Sequence, residues 1–325
     1  MDHSLAEIKK PFAQEWEAYQ KTFKTIMSSD IKLVDTVVKY IVRYKGKGLR
    51  PLLALMSGKL VGKINENTYI VASILEMLHT ATLIHDDVVD EAHIRRGFPS
   101  INAVWKNKIS VLMGDYLLSK CLIGATKTNK LSIMQILADA SKRLSKGELK
   151  QIEEARKLKI TEKSYFDIIS NKTAALIGAA AELGAITTSD NEQDHKNLRM
   201  FGENLGIAFQ IKDDLLDYYG QKAIIGKPVG KDIKDKKITL PMIHAFKNAS
   251  DREIRKIKRL IKRGANSKEI KYIIDFVEQN DGIQYANQKK IEYADKARGA
   301  LESYSMNEAK QAIFQFVDYT VERKQ

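Results

Sequence analysis

Two acidic runs in the chain have types and spacing suited to chemistry. Asp86-Asp87-Val88-Val89-Asp90 and Asp213-Asp214-Leu215-Leu216-Asp217 share one pattern, an aspartate pair followed by a third aspartate. On a helix, Asp86 and Asp90 lie on one face, with their Cβ atoms about 5–6 Å apart. Three ionised carboxylates that close repel one another, so the arrangement asks for a cation. Magnesium fits, because it prefers oxygen ligands and commonly takes one or two carboxylates, with phosphate oxygens and water completing its octahedron. An isolated acidic run is more often solvated surface.

The neighbours argue against plain surface. The first run follows the strongly apolar stretch 69–84, with His79 two turns back on the same face, and Arg95 and Arg96 come directly after it. Carboxylates that take metal, beside arginines that take phosphate oxygens directly, make a diphosphate site. In the second run Gln210, Asp213, Asp214 and Asp217 form one helical stripe, flanked by Phe209 and Ile211. The loop after it supplies Lys227, Lys231, Lys236 and Lys237, and Asp232 and Asp235 there either bind metal through water or, the simpler reading, pair with lysines.

Two further basic sites stand apart from these runs. Lys47 and Arg50 flank Gly48-Leu49 just before Pro51, where glycine allows close backbone approach and two cations can grip another anion. An ordinary basic turn explains them equally well. Lys172-Thr173 interrupts an apolar helix, so Lys172 either snorkels to solvent or serves the chemistry.

The elements that must position these groups are helices. Residues 100–227 contain no proline, and apolar residues recur there at helical spacing. Segments 69–84, 110–126, 131–158, 163–186 and 192–219 read as long helices. The basic loop at 43–51, the turn at 95–99 and the loop at 220–237 punctuate them. No alternating strand pattern of any length is present, so the expected class is all-α, a bundle of long helices with short connections. No linker of disordered composition divides the chain, and residues 1–325 read as one domain.

The net charge of +13 suits a polyanionic partner: nucleic acid, an anionic membrane or a phosphorylated small molecule. The single cysteine, Cys121, excludes a disulfide framework and a cysteine zinc site. The charged N-terminus is not a signal peptide, and no continuous run of about 18 apolar residues appears, so a cytoplasmic protein is expected. Residues 252–271 carry nine Lys or Arg against two Glu. The simpler reading is a solvated helix face, and the alternative is peripheral contact with anionic lipid. Nucleic acid is not expected, because the notable cations cluster beside acidic motifs instead of forming a stripe with aromatic platforms.

Taken together, the motifs resemble those of the trans-polyprenyl diphosphate synthases, in particular the long-chain, octaprenyl-type members. The resemblance runs from about residue 40 to 320. It rests on Gly46-Lys47-Gly48-Leu49-Arg50-Pro51, His79, His85-Asp86-Asp87-Val88-Val89-Asp90-Glu91 with Arg95-Arg96-Gly97, Gly147-Glu148-Leu149-Lys150-Gln151, Lys172-Thr173, and Phe209-Gln210-Ile211-Lys212-Asp213-Asp214-Leu215-Leu216-Asp217. Gly48 stands where the family usually has a basic residue.

The resemblance implies the isoprenoid synthase fold, a single bundle of antiparallel helices around a central cavity, and a homodimer joined through helices in 110–160. Lys47, Arg50, His79 and Arg96 would bind isopentenyl diphosphate. Asp86, Asp90 and Asp213, supported by Asp87, Asp214 and Asp217, would hold about three magnesium ions jointly with an allylic diphosphate. Arg95, Lys172, Lys227 and Lys237 would contact that diphosphate, and Thr173 and Gln210 would lie near the developing cation. The implied reaction ionises the allylic diphosphate, joins it to isopentenyl diphosphate and eliminates a proton. Ala81 and Thr82, five and four residues before Asp86, are small, so a long product is expected, with Leu78, Leu75 and the segment 116–122 as candidate floor. Such a product suits quinone side chains. A short-chain synthase is the alternative. A terpene cyclase would not need the Lys47, Arg50 and His79 set, and a non-catalytic subunit would be expected to lose one aspartate run.

Overall fold

The computed structural model describes residues 4–44, 46–157, 160–219 and 230–322. Helices α1 (Leu5–Lys9), α2 (Ala13–Met27), α3 (Lys32–Arg43) and α4 (Leu49–Val61) lead into α5 (Glu66–Val89), which ends on the first aspartate run. After a short hairpin come α6 (Ile101–Lys127), α7 (Leu131–Lys157), α8 (Glu162–Ile169), α9 (Ala175–Ile186) and α10 (Glu192–Tyr219), which ends on the second run. The remainder is α11 (Lys231–Lys234), α12 (Leu240–Asn248), α13 (Asp251–Arg263), α14 (Ser267–Gln279), α15 (Gly282–Gly299) and α16 (Glu308–Glu322). The fold is all-α, as the periodicity predicts.

Burial explains why the site helices sit where they do. α9 is buried along nearly its whole length and packs between α4 and α10, while α5 packs along α6 and α4. Its alanines and glycines let neighbouring backbones come close. The start of α5 is fixed by a capping box in which Asn65 accepts from the Thr68 N–H and Thr68 accepts from the Asn65 N–H. One apolar core joins α1–α7, α9, α16, the first half of α10 and the end of α15. A second gathers α8, the last two turns of α10 and α12–α15. α10 therefore runs from the first core into the second, and its aspartates lie on the turns that pack in the second.

Two local features depart from the sequence reading. Ile94–Arg95 and Phe98–Pro99 form a two-residue antiparallel hairpin, with Arg95 opposite Phe98. Its loop residues Arg96 and Gly97 both have positive φ, 54° and 82°, the pattern that matches the right-handed twist of paired strands. The expected helix over 163–186 is broken by a π turn at Ser170–Ala174, which contains Lys172 and Thr173. One such turn re-aims the side chains it carries and is common at functional sites.

α6 begins at Ile101, earlier than its periodicity suggests, and is interrupted at Lys106 (φ 69°). It is also long and apolar enough, by length and composition, to cross a membrane, which scattered polar residues conceal in the sequence. Buried core helices pass the same test, and α6 packs along α5.

Candidate active site

The first part of the site is built at the N-terminus of α4. Gly48 caps this helix in the left-handed region at φ 67°, and a Cβ there would lie 2.7 Å from the Trp16 ring. The basic residue usual at this position does not fit, for both reasons. Lys9 Nζ donates to the Lys47 carbonyl (2.9 Å), and Lys47 Nζ donates to the Tyr319 hydroxyl (3.0 Å). α1 and α16 thus hold the loop from either side. The Arg96 guanidinium lies directly against Gly46, where a Cβ would come within 2.6 Å of it.

Arg50 and His79 stand behind this loop. Arg50 Nε is buried with no hydrogen-bond partner among the described residues. Burial holds its guanidinium down to about 10, still cationic at neutral pH, while Glu76 and Asp213 draw it back up. His79 is driven well below the ordinary imidazole range by burial and then by Arg50, Arg96 and Arg95, so it is neutral and offers a hydrogen bond without a charge. An apolar cavity lies beneath Arg50, lined by Leu53, Leu205, Phe209, Phe316 and Thr320 among others. The cavity is small, about 20 Å³, so it is the cluster of cationic side chains that suits an anion.

The second part is the end of α5. Asp87 is 3% exposed, and Arg95 donates to it through Nε (2.9 Å) and Nη2. Asp86 and Asp90 remain at the open end of the helix. Burial pushes Asp86 up to about 6, and Glu148 adds to this while Lys172 opposes it. Lys172 pairs with Glu148 and donates to Gln151 Oε1 (3.3 Å). α7 approaches that closely because its Gly147 has no side chain: a Cβ would lie 2.6 Å from the Lys172 backbone nitrogen.

The third part is α10. Thr173 Oγ1 donates to Gln210 Oε1 (2.7 Å), and Gln210 Nε2 donates to Asp214 Oδ1 (2.9 Å). The Tyr165 hydroxyl donates to Asp214 Oδ2 (2.6 Å). Burial, then Asp232, pushes Asp214 up to about 8, and the Tyr165 and Gln210 hydrogen bonds pull against that rise. Asp217 accepts from the backbone N–H groups of Lys231 (2.9 Å) and Asp232 (3.0 Å), and so ties down the start of α11.

The two runs act on one shared group of cations. Asp213 draws on Arg50, Asp87 draws on Arg96, and the two arginines oppose each other.

A model of the polyprenyl synthetase family matches residues 31–277. An octaprenyl diphosphate synthase from Haemophilus influenzae is 33% identical over 320 residues, 98% of this chain and 97% of that protein. The chain belongs to the polyprenyl synthetase family. It is a prenyltransferase with the isoprenoid synthase fold. The crystal structure of a decaprenyl diphosphate synthase from Rhodobacter capsulatus superposes with a TM-score of 0.94 at 36% identity, over 99% of this chain and 100% of that one. A polyprenyl synthase from Caulobacter crescentus, complexed with calcium and isoprenyl diphosphate, superposes at 0.92 with 30% identity, over 100% and 99% of the two chains. Short-chain and geranylgeranyl diphosphate synthases also match most of the chain, at 31% and 29% identity.

Within this family member the six aspartates are not equivalent. All six read as metal ligands in the sequence. Arg95 binds Asp87, Tyr165 and Gln210 bind Asp214, and the α11 backbone binds Asp217. Asp86 and Asp90 stand at the open end of α5, and Asp213 draws on Arg50. Among the described residues, no three acidic, histidine or cysteine side chains converge to hold an ion unaided. That donor set fits magnesium, which accepts few carboxylates and completes its shell with phosphate oxygens.

Lys227 lies outside the described residues. Lys237 Nζ stands 3.9 Å from Asp235, the lysine pairing expected for that loop. Leu75, Leu78 and Ala81 are packed shut, at 0, 2 and 0% exposure, and Thr82 Oγ1 bonds the His79 carbonyl (2.9 Å). Three residues without an assigned role also enter the site. Glu76 is 8% exposed, and its charge acts on Arg50 and Arg96. Glu148 and Gln151 hold Lys172. A lone glutamate in an apolar helix, one turn before His79, is the signal that could have flagged Glu76.

Proposed function

We propose that the chain is a long-chain polyprenyl diphosphate synthase, which condenses isopentenyl diphosphate head-to-tail with an allylic diphosphate such as farnesyl diphosphate. The observation that carries this reading is the pair of neighbouring anion sites. One is the Arg50, His79 and Arg96 set over its apolar cavity. The other is the Asp86, Asp90, Arg95 and Lys172 set.

Asp86, Asp90 and Asp213 would hold magnesium, about three ions shared with the allylic diphosphate. When bound, the metal neutralises the departing diphosphate. Lys172 exchanges Glu148 for a diphosphate oxygen, and Arg95 reaches the same group from its seat on Asp87. Lys227 and Lys237 would reach it from the loop after α10. Lys47, Arg50, Arg96 and neutral His79 orient isopentenyl diphosphate with its double bond toward Thr173 and Gln210. The allylic C–O bond breaks, the double bond attacks the cation to form a C–C bond, and a proton leaves to the released diphosphate. No side-chain nucleophile takes part. Arg50→Ala should raise KM for isopentenyl diphosphate at least tenfold and leave KM for the allylic substrate nearly unchanged. Equal effects on both would contradict the two-site assignment.

The long product rests on small Ala81 and Thr82 and on octaprenyl and decaprenyl relatives, and a chain of that length suits quinone side chains. We further propose a homodimer through α6, whose Val111, Leu112, Leu122 and Ile123 are 42–59% exposed and repeat at helical spacing on one face. A solution mass of twice the chain supports this, and a monomer overturns it. The third surface is α13. Ile257 and Ile261 are buried, while Arg252, Arg255, Arg259 and Lys262 face solvent, a face suited to anionic lipid.

A further inference from the structure

We infer that Tyr165 is a positioning residue for the condensation: it anchors Asp214, Asp214 fixes the amide of Gln210, and Gln210 thereby keeps its carbonyl oxygen on the Thr173 side of the pocket. The inference rests on the reading of the site given above.

The geometry is a closed relay. Tyr165 is 3% exposed and Asp214 is 5% exposed. Tyr165 belongs to α8, Gln210 and Asp214 are one turn apart on α10, and Thr173 sits in the π turn between α8 and α9. Each Asp214 oxygen accepts one bond, Oδ2 from the Tyr165 hydroxyl at 2.6 Å and Oδ1 from Gln210 Nε2 at 2.9 Å. The Tyr165 hydroxyl and the Gln210 NH2 both donate to the one Asp214 carboxyl, so that carboxyl holds the amide in a single orientation. With its NH2 on Asp214, Gln210 leaves Oε1 to receive Thr173 Oγ1 at 2.7 Å. The Tyr165 ring is itself fixed, packed edge-on against Phe166 at 5.4 Å within the second core.

The orientation decides the sign of an electrostatic effect. A carbonyl oxygen facing an allylic cation stabilises it, and a flipped amide would present N–H dipoles of the wrong sign. Without the Tyr165 donor, Asp214 is free to rotate and Gln210 loses its reference. A residue outside every motif would then govern how one motif residue is presented.

The test is a double-mutant cycle on the full-length enzyme with magnesium and both diphosphates. Tyr165→Phe should lower kcat about tenfold, from one lost buried hydrogen bond, with KM for isopentenyl diphosphate within about twofold. In a Gln210→Leu background the same substitution should change kcat less than about twofold, because its partner is gone. The Gln210 side-chain amide resonance, identified by its loss in Gln210→Leu, should move in Tyr165→Phe whatever the residual activity. An unmoved resonance, or an equal loss of kcat in both backgrounds, would overturn the inference while leaving the proposed function intact. A wild-type enzyme that does not elongate would overturn both.

Discussion

Arg95 grips Asp87 through Nε and Nη2, so the middle carboxylate of the first aspartate run is a pin between α5 and the hairpin. Arg95 and the end of α5 are thereby joined. Asp217 does the same for the second run, holding the α11 backbone.

The aspartates should therefore separate by substitution. Asp86→Asn, Asp90→Asn and Asp213→Asn are expected to lower kcat by about a hundredfold or more. Asp217→Asn should cost about tenfold or less. Asp87→Asn should cost roughly 2 kcal/mol of stability, between the exposed and buried limits for breaking an ion pair. Steady-state kinetics and thermal melts on the same proteins check this. Equal kinetic losses at all the positions would contradict the division.

Much of this site is legible in the sequence because its residues fall in local motifs on amphipathic helices. Helical spacing alone groups Asp86 with Asp90, and Gln210 with Asp213. What is not legible depends on contacts between distant segments. Tyr165 meets Asp214 across 49 positions, and no local pattern reports that. The π turn at Ser170–Ala174 is equally silent, because no local pattern separates it from a regular helical turn and the close packing against Gly147 becomes visible only in three dimensions. The Gly48 departure looks like a loss of charge in the sequence. In the structure it is a left-handed cap against Trp16.

Metal use should be unusually sensitive to mild acid. Burial and Glu148 raise Asp86 to about 6 from the ordinary 3.8. A raised carboxylate is protonated below that value and must ionise to bind metal, so protons compete with the ion at pH 5–6. The half-saturating magnesium concentration should climb as pH falls from 7.5 to 5.5, with saturating metal restoring much of kcat. A flat requirement across that range would contradict the shift.

Product length should respond to Ala81, fully buried on α5 one helical turn and a residue before Asp86. Ala81→Phe is expected to shorten the product distribution without abolishing the first condensation. Chromatography of dephosphorylated products reads this directly, and an unchanged distribution would remove Ala81 from the path of the chain.

The cationic face of α13 should bind anionic vesicles. Flotation with phosphatidylglycerol-containing vesicles is expected to carry the protein, and phosphatidylcholine vesicles alone should not. Reversing Arg255, Arg259 and Lys262 to Glu should abolish flotation at low salt and leave turnover on soluble substrates unchanged. Equal flotation on both lipids, or none on either, would leave α13 as a solvated surface.

The account turns on condensation at paired diphosphate sites. Its most direct test is incubation of the purified protein with labelled isopentenyl diphosphate, farnesyl diphosphate and magnesium, followed by chromatography of the products. The account predicts a ladder of prenyl diphosphates ending in a long chain, absent when either substrate is omitted or the metal is chelated. No elongation with all three present, or label entering a product without the allylic substrate, would contradict it.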